Sequence, residues 1–518
     1  MKLLLEAIST LCTLQVKMEQ DDITLHKLRK LLGMVKQSER RRSSSSQQSH
    51  GHKKKKSGRG ARNKKPKSKP QLVHHKIEGH GKGDACPECA RGKLYKFEPG
   101  KLLRITGHAR YEAIHHVIEQ LRCNACQIVY KAKLPESVLA DGDASQRYGY
   151  SARSLMVIDK FYTGTPYYHQ SNLAGVFGEN ISASTIYDQC EQTANSVMPV
   201  FYELKKQAAD AKRFLIDDTP HRILKQQAEM RDRPDGKGQR LRSGVYCSGL
   251  IATRADGHEI ILFDTSLGHA GEHLDAILKN RDSNLPSPVV MSDALSSNQV
   301  TSADIIHAYC NAHARRQFYD LESRHPEVDF ILKTYAIIWK NESDVREQGV
   351  DDNKRLEYHK TYSLPAMQAI LRWVNEQESS ADYEAHSALA KAMSYFKKHY
   401  ERLILFCVEP GVPIDNNRME EKLKIPIRGR KTAHFYKTVM GAGVANVLIS
   451  ILATADQAGE NIFDYLNALQ RHYPSIKENP SNWLPWNYRA MIEKTNQKKL
   501  NPDRADGNEA KKLETIAA

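Results

Sequence analysis

No apolar run in the 518-residue chain approaches the roughly 20 residues of a membrane span. The opening MKLLLEAISTLCTL does not read as a secretory signal either, because Glu6 interrupts the apolar stretch and no A-x-A-like cleavage site follows. A cytoplasmic protein with no membrane partner is therefore expected. Cysteine is sparse: of nine residues, five are scattered singly, which argues against a disulfide framework and for a reducing compartment. His269 and His273 in GHAGEHLD stand four apart, but the glutamate of the HExxH zinc-peptidase arrangement is missing, so they read as a helix-surface pair. Acid is the minority charge, 61 Asp and Glu against 77 Lys and Arg, giving +16. Such an excess suits a polyanion, with nucleic acid first, since neutralising phosphates releases counterions whatever the sequence.

What is present changes character along the chain, and its length fits two to four domains. Leu4, Ala7, Leu11, Leu14, Met18, Leu25, Leu28, Leu32 and Val35 alternate three- and four-residue steps, with Asp21 the one polar intruder. That seam predicts a coiled-coil dimerisation helix over 1–42 and hence a homo-oligomer. Residues 43–72 are a polar, basic linker that cannot bury enough apolar surface to fold; Gly51 to Pro70 holds ten Lys or Arg and no acid, as a DNA-gripping tether would. Cys86-Pro-Glu-Cys89 and Cys123-Asn-Ala-Cys126 offer four thiolates for tetrahedral structural Zn²⁺ within a small domain spanning 73–136. Residues 137–211 read as helices punctuated by Gly164, Pro166 and Gly178, with Ser182 or Ser184 capping a long helix that begins near Ala183. YHQSNLAGVFGENISASTIYDQC has the helix, glycine turn and helix of a helix-turn-helix.

From Lys212 the pattern turns strand-like: KRFLIDD, SGVYCSGLIAT and HEIILFDTS form a predicted meander, followed by a helix over 271–280 and the strands PVVMSD and DIIHAYC. Asp217 and Asp293 then sit where buried strands emerge from one mixed sheet. After Cys310 the sequence is helical almost to Val408. Gly411 and Pro413 end that block, Asp415 is placed to cap, and a further helix carries Glu420. Three carboxylates so placed suit Mg²⁺, which takes one or two acids per ion and leaves the remaining positions to water and phosphate oxygens.

These modules together resemble a known family, the DDE transposases of the insertion-sequence 66 group with a zinc-finger domain. The resemblance is carried by the CPEC and CNAC knuckles, YTGTPYYHQSN with ISASTIYD, DDTP, SDA, CNAHARRQFYD, PIDNNRMEEKLKIPIRGRK and NWLPWNY. It implies a multidomain α/β protein. A ribonuclease-H-like mixed-sheet catalytic core, 212–440 with an all-α insertion at 311–410, follows the helical dimerisation arm, the small four-cysteine zinc-binding domain and the helical domain. A C-terminal helical region and tail occupy 441–518. The resemblance implies bacterial, nucleoid-associated chemistry: two-metal cleavage (Mg²⁺ or Mn²⁺) at the ends of an insertion sequence, then strand transfer of the 3′ hydroxyl into target DNA. Asp217, Asp293 and Glu420 become the catalytic metal ligands, with Asp217 bridging both ions. His313, Arg315, Arg316, Arg428, Arg430 and Lys431 match DNA-contacting positions, and small accessory proteins of the same element become partners.

Asp217 is preferred to Asp218 because the family pattern tolerates Glu at the next position, and Glu420 to Glu421 because it stands five residues after the Asp of IDNN. MEEK stands where an alanine-rich AER is usual, and the amino-terminal arm is short; neither departure removes a ligand. A stand-alone nuclease or a non-catalytic DNA-binding regulator is the alternative. Trp483 and Trp486 read as anchors of the fold rather than base-stacking residues.

Overall fold

The computed structural model describes residues 110–122, 129–143, 145–232, 238–300, 303–380 and 386–500, with 82–84 and 93 besides. The heptad seam, the basic linker and all four knuckle cysteines lie outside the described residues. Gln120–Arg122 (β1) pairs antiparallel with Val129–Lys131 (β2), and a short helix, Glu136–Leu139 (α1), follows.

Tyr150–Val157 (α2) runs into a π-helical turn, Ile158–Thr163, that stops at Gly164, whose φ of 83° suits a residue without a Cβ. Tyr167–Val176 (α3), a turn at Gly178, and Ala183–Ala209 (α4) reproduce the expected helix, glycine turn and helix. Ser182 caps α4 by accepting from the Thr185 N–H. Ile186, Cys190, Ala194, Val197, Phe201, Leu204 and Ala208 recur at three- and four-residue steps, so α4 buries one continuous stripe.

The sheet comes next. Its strands are Arg213–His221 (β3), Val245–Thr253 (β6), Glu259–Ser266 (β7), Val289–Ser292 (β8) and Ile306–Tyr309 (β9), in the order β7-β6-β3-β8-β9. The β3/β6 and β6/β7 pairs are antiparallel, while β3/β8 and β8/β9 are parallel. This mixed five-stranded sheet with helices is compatible with a ribonuclease-H-like core. One feature is absent from the sequence reading: Glu229–Asp232 (β4) and Gln239–Arg242 (β5) form a separate two-stranded ribbon inside the expected meander. Ala270–Leu278 (α5) lies between β7 and β8.

Five helices follow β9: Asn311–Tyr319 (α6), Asp329–Gln348 (α7), Asp352–Tyr362 (α8), Leu364–Glu378 (α9) and Ala388–Leu403 (α10). The chain then returns to the sheet through Asn417–Ala433 (α11) and Val439–Gln457 (α12), and ends its described part with Ile462–Arg471 (α13), Tyr473–Glu478 (α14) and Tyr488–Leu500 (α15). Trp483 is buried and its carbonyl accepts the Tyr465 hydroxyl at 2.7 Å, which makes it an anchor.

Helix α12 departs from the sequence reading, because it is long and apolar enough to cross a membrane; in this fold 67% of that window is buried. Its few polar residues have a specific use. Strand β7 is an edge strand, so its outward N–H groups find no strand partner. Asn446, Ser450 and Thr454, spaced one turn apart on α12, accept from the N–H groups of Thr265, Phe263 and Ile261 at 2.9–3.0 Å. A helix therefore closes the edge that would otherwise template another chain.

Candidate active site

Phe214, Leu215 and Ile216 are fully buried and fix β3 in the sheet up to the point where it meets Asp217. The parallel β3/β8 pairing ends with Leu215 opposite Met291; Asp217 and Asp293 each follow two residues later, close enough for the charge of one to act on the other. On the other flank Asp217 pairs with Gly249 of β6. A Cβ at Gly249 would stand 2.3 Å from the Met419 Cε, 3.1 Å from Phe263 and 3.2 Å from Leu423. The missing side chain is thus the seat into which α11 drops Met419 and Leu423. Glu420, between them in sequence, arrives close enough for its charge to act on Asp217. Asn416 completes the attachment: buried before the first turn of α11, it donates its side-chain amide to the Ile216 carbonyl at 2.9 Å. Asp415, the expected cap, accepts from the Asn417 N–H at 3.1 Å and from the Trp339 indole at 2.8 Å, while Asn416 occupies the N-cap position.

The electrostatics register the convergence. Burial pushes the Asp217 carboxyl up to about 7, and the charges of Asp293, Asp218 and Glu420 push the same way against one bond from the Asp218 N–H. Asp293 accepts from the Asn298 amide and, at 3.3 Å, from the Leu295 N–H. Glu420 lies 3.7 Å from His313 Nε2 and 4.0 Å from Arg316, and its Oε1 is buried with no hydrogen-bond partner. Asp218 is held elsewhere, 2.8 Å from His269 Nδ1, and Glu421 is exposed.

Among the described residues, no three His, Cys, Asp or Glu side chains stand close enough to hold an ion as they lie. Each acid of the trio leans instead on a protein donor or cation. The donor set still suits a hard divalent cation: all oxygen, one buried oxygen orphaned, and one carboxyl whose proton affinity is raised by burial and then by its acidic neighbours.

The six cations identified from the sequence divide. His313 and Arg316, on α6, face Glu420. Arg430 donates to Thr219 Oγ1 at 3.1 Å and to the Pro220 carbonyl, at the far end of β3 from its buried half. Arg428 instead ties α11 to the π-turn through the Tyr162 carbonyl at 2.8 Å, Arg315 lies 5.2 Å over the Tyr319 ring, and Lys431 is exposed. The His269/His273 pair needs correction. Both side chains work as hooks rather than as a free surface pair, with His269 on Asp218 and His273 2.9 Å from Asp264 and 3.1 Å from Ser266 Oγ. Asn416, Gly249 and Asn298 escaped the sequence reading; the one local signal was the IDNN motif itself.

The chain matches the Transposase IS66 family over residues 146–443, more than half its length. It is 23% identical over 360 residues to the uncharacterized protein y4hP of Sinorhizobium fredii (strain NBRC 101917 / NGR234), covering 67% of this chain and 62% of that protein. It is 28% identical over 189 residues to the uncharacterized protein y4jD of the same strain, covering 35% and 36% respectively. The chain thus spans less than two thirds of either relative. With more than half of its length matched, and with the matched stretch containing the sheet and all three converging carboxylates, the chain belongs to the IS66 family of transposases.

Proposed function

We propose that the protein cuts DNA at the ends of an insertion sequence and transfers the freed 3′ hydroxyl into target DNA, on a ribonuclease-H-like core. The observation that carries this reading is the meeting of Asp217 from the middle of β3, Asp293 just after β8 and Glu420 from the first turn of α11. Those three residues would hold two Mg²⁺ or Mn²⁺ ions, which when bound supply Lewis acidity to the phosphoryl oxygens and activate the attacking oxygen.

The remaining chemistry falls to the chain. In the first step a water oxygen attacks phosphorus, the bond from phosphorus to the 3′ oxygen breaks, and that oxygen leaves as a hydroxyl carrying a proton. In the second step the hydroxyl attacks a target phosphodiester, exchanging one ester bond for another without an external energy source. His313 and Arg316, 3.7 and 4.0 Å from Glu420, are placed to neutralise phosphate charge once that carboxylate is engaged. Arg430, at the exit of β3, is placed for the flanking backbone. Outside the described residues, Cys86, Cys89, Cys123 and Cys126 are proposed to hold structural Zn²⁺, and 1–42 to mediate self-association.

The test is cleavage and joining of labelled element-end DNA with Mg²⁺ or Mn²⁺, any accessory proteins supplied, by wild type, Asp217→Asn, Asp293→Asn and Glu420→Gln. Variants that bind DNA but neither cut nor join uphold the reading. Full activity in one variant moves the role to its neighbour, Asp218 or Glu421, and a wild type that binds without cutting makes the protein a regulator.

A further inference from the structure

Helix α10 has two unlike faces. Leu389, Ala392, Met393, Phe396 and Leu403 are buried on one. On the other, Lys391, Tyr395, Lys398, His399 and Arg402 recur at steps of four, three, one and three, which sets all five along a single stripe. That stripe carries no acid. Glu401 lies around the helix from it, and Lys397 is turned away to pair with Glu378 at 2.6 Å.

The stripe is fastened beside Asp293. Ser292 donates to the Asp293 carbonyl at 2.7 Å and meets His307 Nε2 at 2.8 Å. Arg402 lies 3.2 Å from the other nitrogen of His307 and donates to the Tyr309 hydroxyl at 3.0 Å. The His399 ring packs edge-on between Tyr309 at 5.1 Å and Tyr395 at 4.8 Å. Burial raises the proton affinity of the Tyr395 hydroxyl, and the charge of nearby Asp293 raises it further. A row of cations and aromatics thus passes one of the three converging carboxylates, with Arg402 tied to β9, Tyr395 at Asp293, and Lys391 one turn beyond.

We infer that this face of α10 is the track for a single DNA strand flanking the scissile phosphate, gripped by Lys391 and Lys398 and stacked against Tyr395 and His399. The inference rests on the transposase reading. One row of cations matches one backbone, and rings between the cations suit unpaired bases, the combination by which single strands are held without sequence preference. Lys391 to Arg402 spans about 16 Å at 1.5 Å per residue. That is roughly five nucleotides at 3.4 Å of axis each. Arg402 already has partners on β9 and serves to aim the row.

The test uses the full chain and element-end duplexes that either stop at the cleavage point or continue as a five-nucleotide single-stranded or duplex flank. Lys391→Gln with Lys398→Gln is expected to weaken binding of the single-stranded flank about tenfold and to lower its salt slope by about 1.4, two phosphates at about 0.7 each, with the blunt duplex unaffected. Lys398→Cys is expected to form a disulfide with a thiol-tethered base in that flank, whereas Lys494→Cys on α15 is not. Unchanged affinity and slope, or no cross-link, overturns the track, and equal losses on single-stranded and duplex flanks overturn its assignment to one strand. Failure of the wild type to bind any element end sinks the transposase reading instead, which the double variant cannot do.

Discussion

Asp217 in the middle of β3 and Glu342 within α7 are both carboxylates withdrawn from water, yet their proton affinities move in opposite directions. Burial works against the charge of each. For Glu342 it is outweighed by His359 Nε2 at 2.9 Å and the Arg355 guanidinium at 2.9 Å, which hold the carboxyl down to about 2. Arg355 in turn donates to the Val412 carbonyl at 2.8 Å, so the network ties α7 and α8 to the chain that leads into α11. Around Asp217 the neighbours are acids, and the carboxyl rises to about 7. A buried acid surrounded by donors is a fastening; one surrounded by acids has the environment that the proposed cation site requires.

The contrast is broken most severely at Glu342. Glu342→Ala leaves fully buried His359 and half-buried Arg355 without their acid, and should cost about 3–5 kcal/mol in denaturant unfolding. The wild-type pH profile follows from the sign of the shift. A carboxyl held below its ordinary value contributes stability in full above about pH 4.5 and loses it as pH falls toward 2, so acid unfolding should shift to higher pH in the variant.

Next in size is Asn416→Ala. It strands the Ile216 carbonyl and frees the start of α11, at about 1–3 kcal/mol, with cleavage lost well beyond what that stability change explains. Gly249→Ala should cost about 1–3 kcal/mol through overpacking against Met419, Phe263 and Leu423. Restored activity in Gly249→Ala with Met419→Leu would show that helix seating is at fault.

The smallest effect has the opposite sign. Asp217 is raised, so its contribution is present below about pH 4 and is lost as pH climbs through about 7. With chelator present, Asp217→Asn should melt about 2–4 °C above wild type at pH 8, and the gap should close at pH 4. A variant less stable than wild type at both values would mean that Asp217 is a fastening like Glu342.

Much of this arrangement is legible in the sequence. FLIDD and VVMSD announce their strands because uninterrupted apolar runs can only be buried, and Ser182 announces α4 because its hydroxyl satisfies a free N–H. The β4/β5 ribbon is silent, since only Met230 and Leu241, a cross-strand pair, interrupt a polar stretch. Helix α12 is masked by Gly441, Gly443, Asn446, Ser450 and Thr454, which break the apolar run when read in line. The carboxylates are visible through family likeness. Gly249, Asn298 and Asn416 are not, because each acts on a partner that the sheet register or a distant loop delivers.

The bond from Asn416 to Ile216 closes a loop of 200 residues. During synthesis β3 emerges long before α11 leaves the ribosome, and every helix of the block from α6 to α10 must be made in between. The nascent protein therefore carries Asp217 and Asp293 before Glu420 has been made. Under the proposed function, a chain still being translated gains its chemistry only when its last core helices dock.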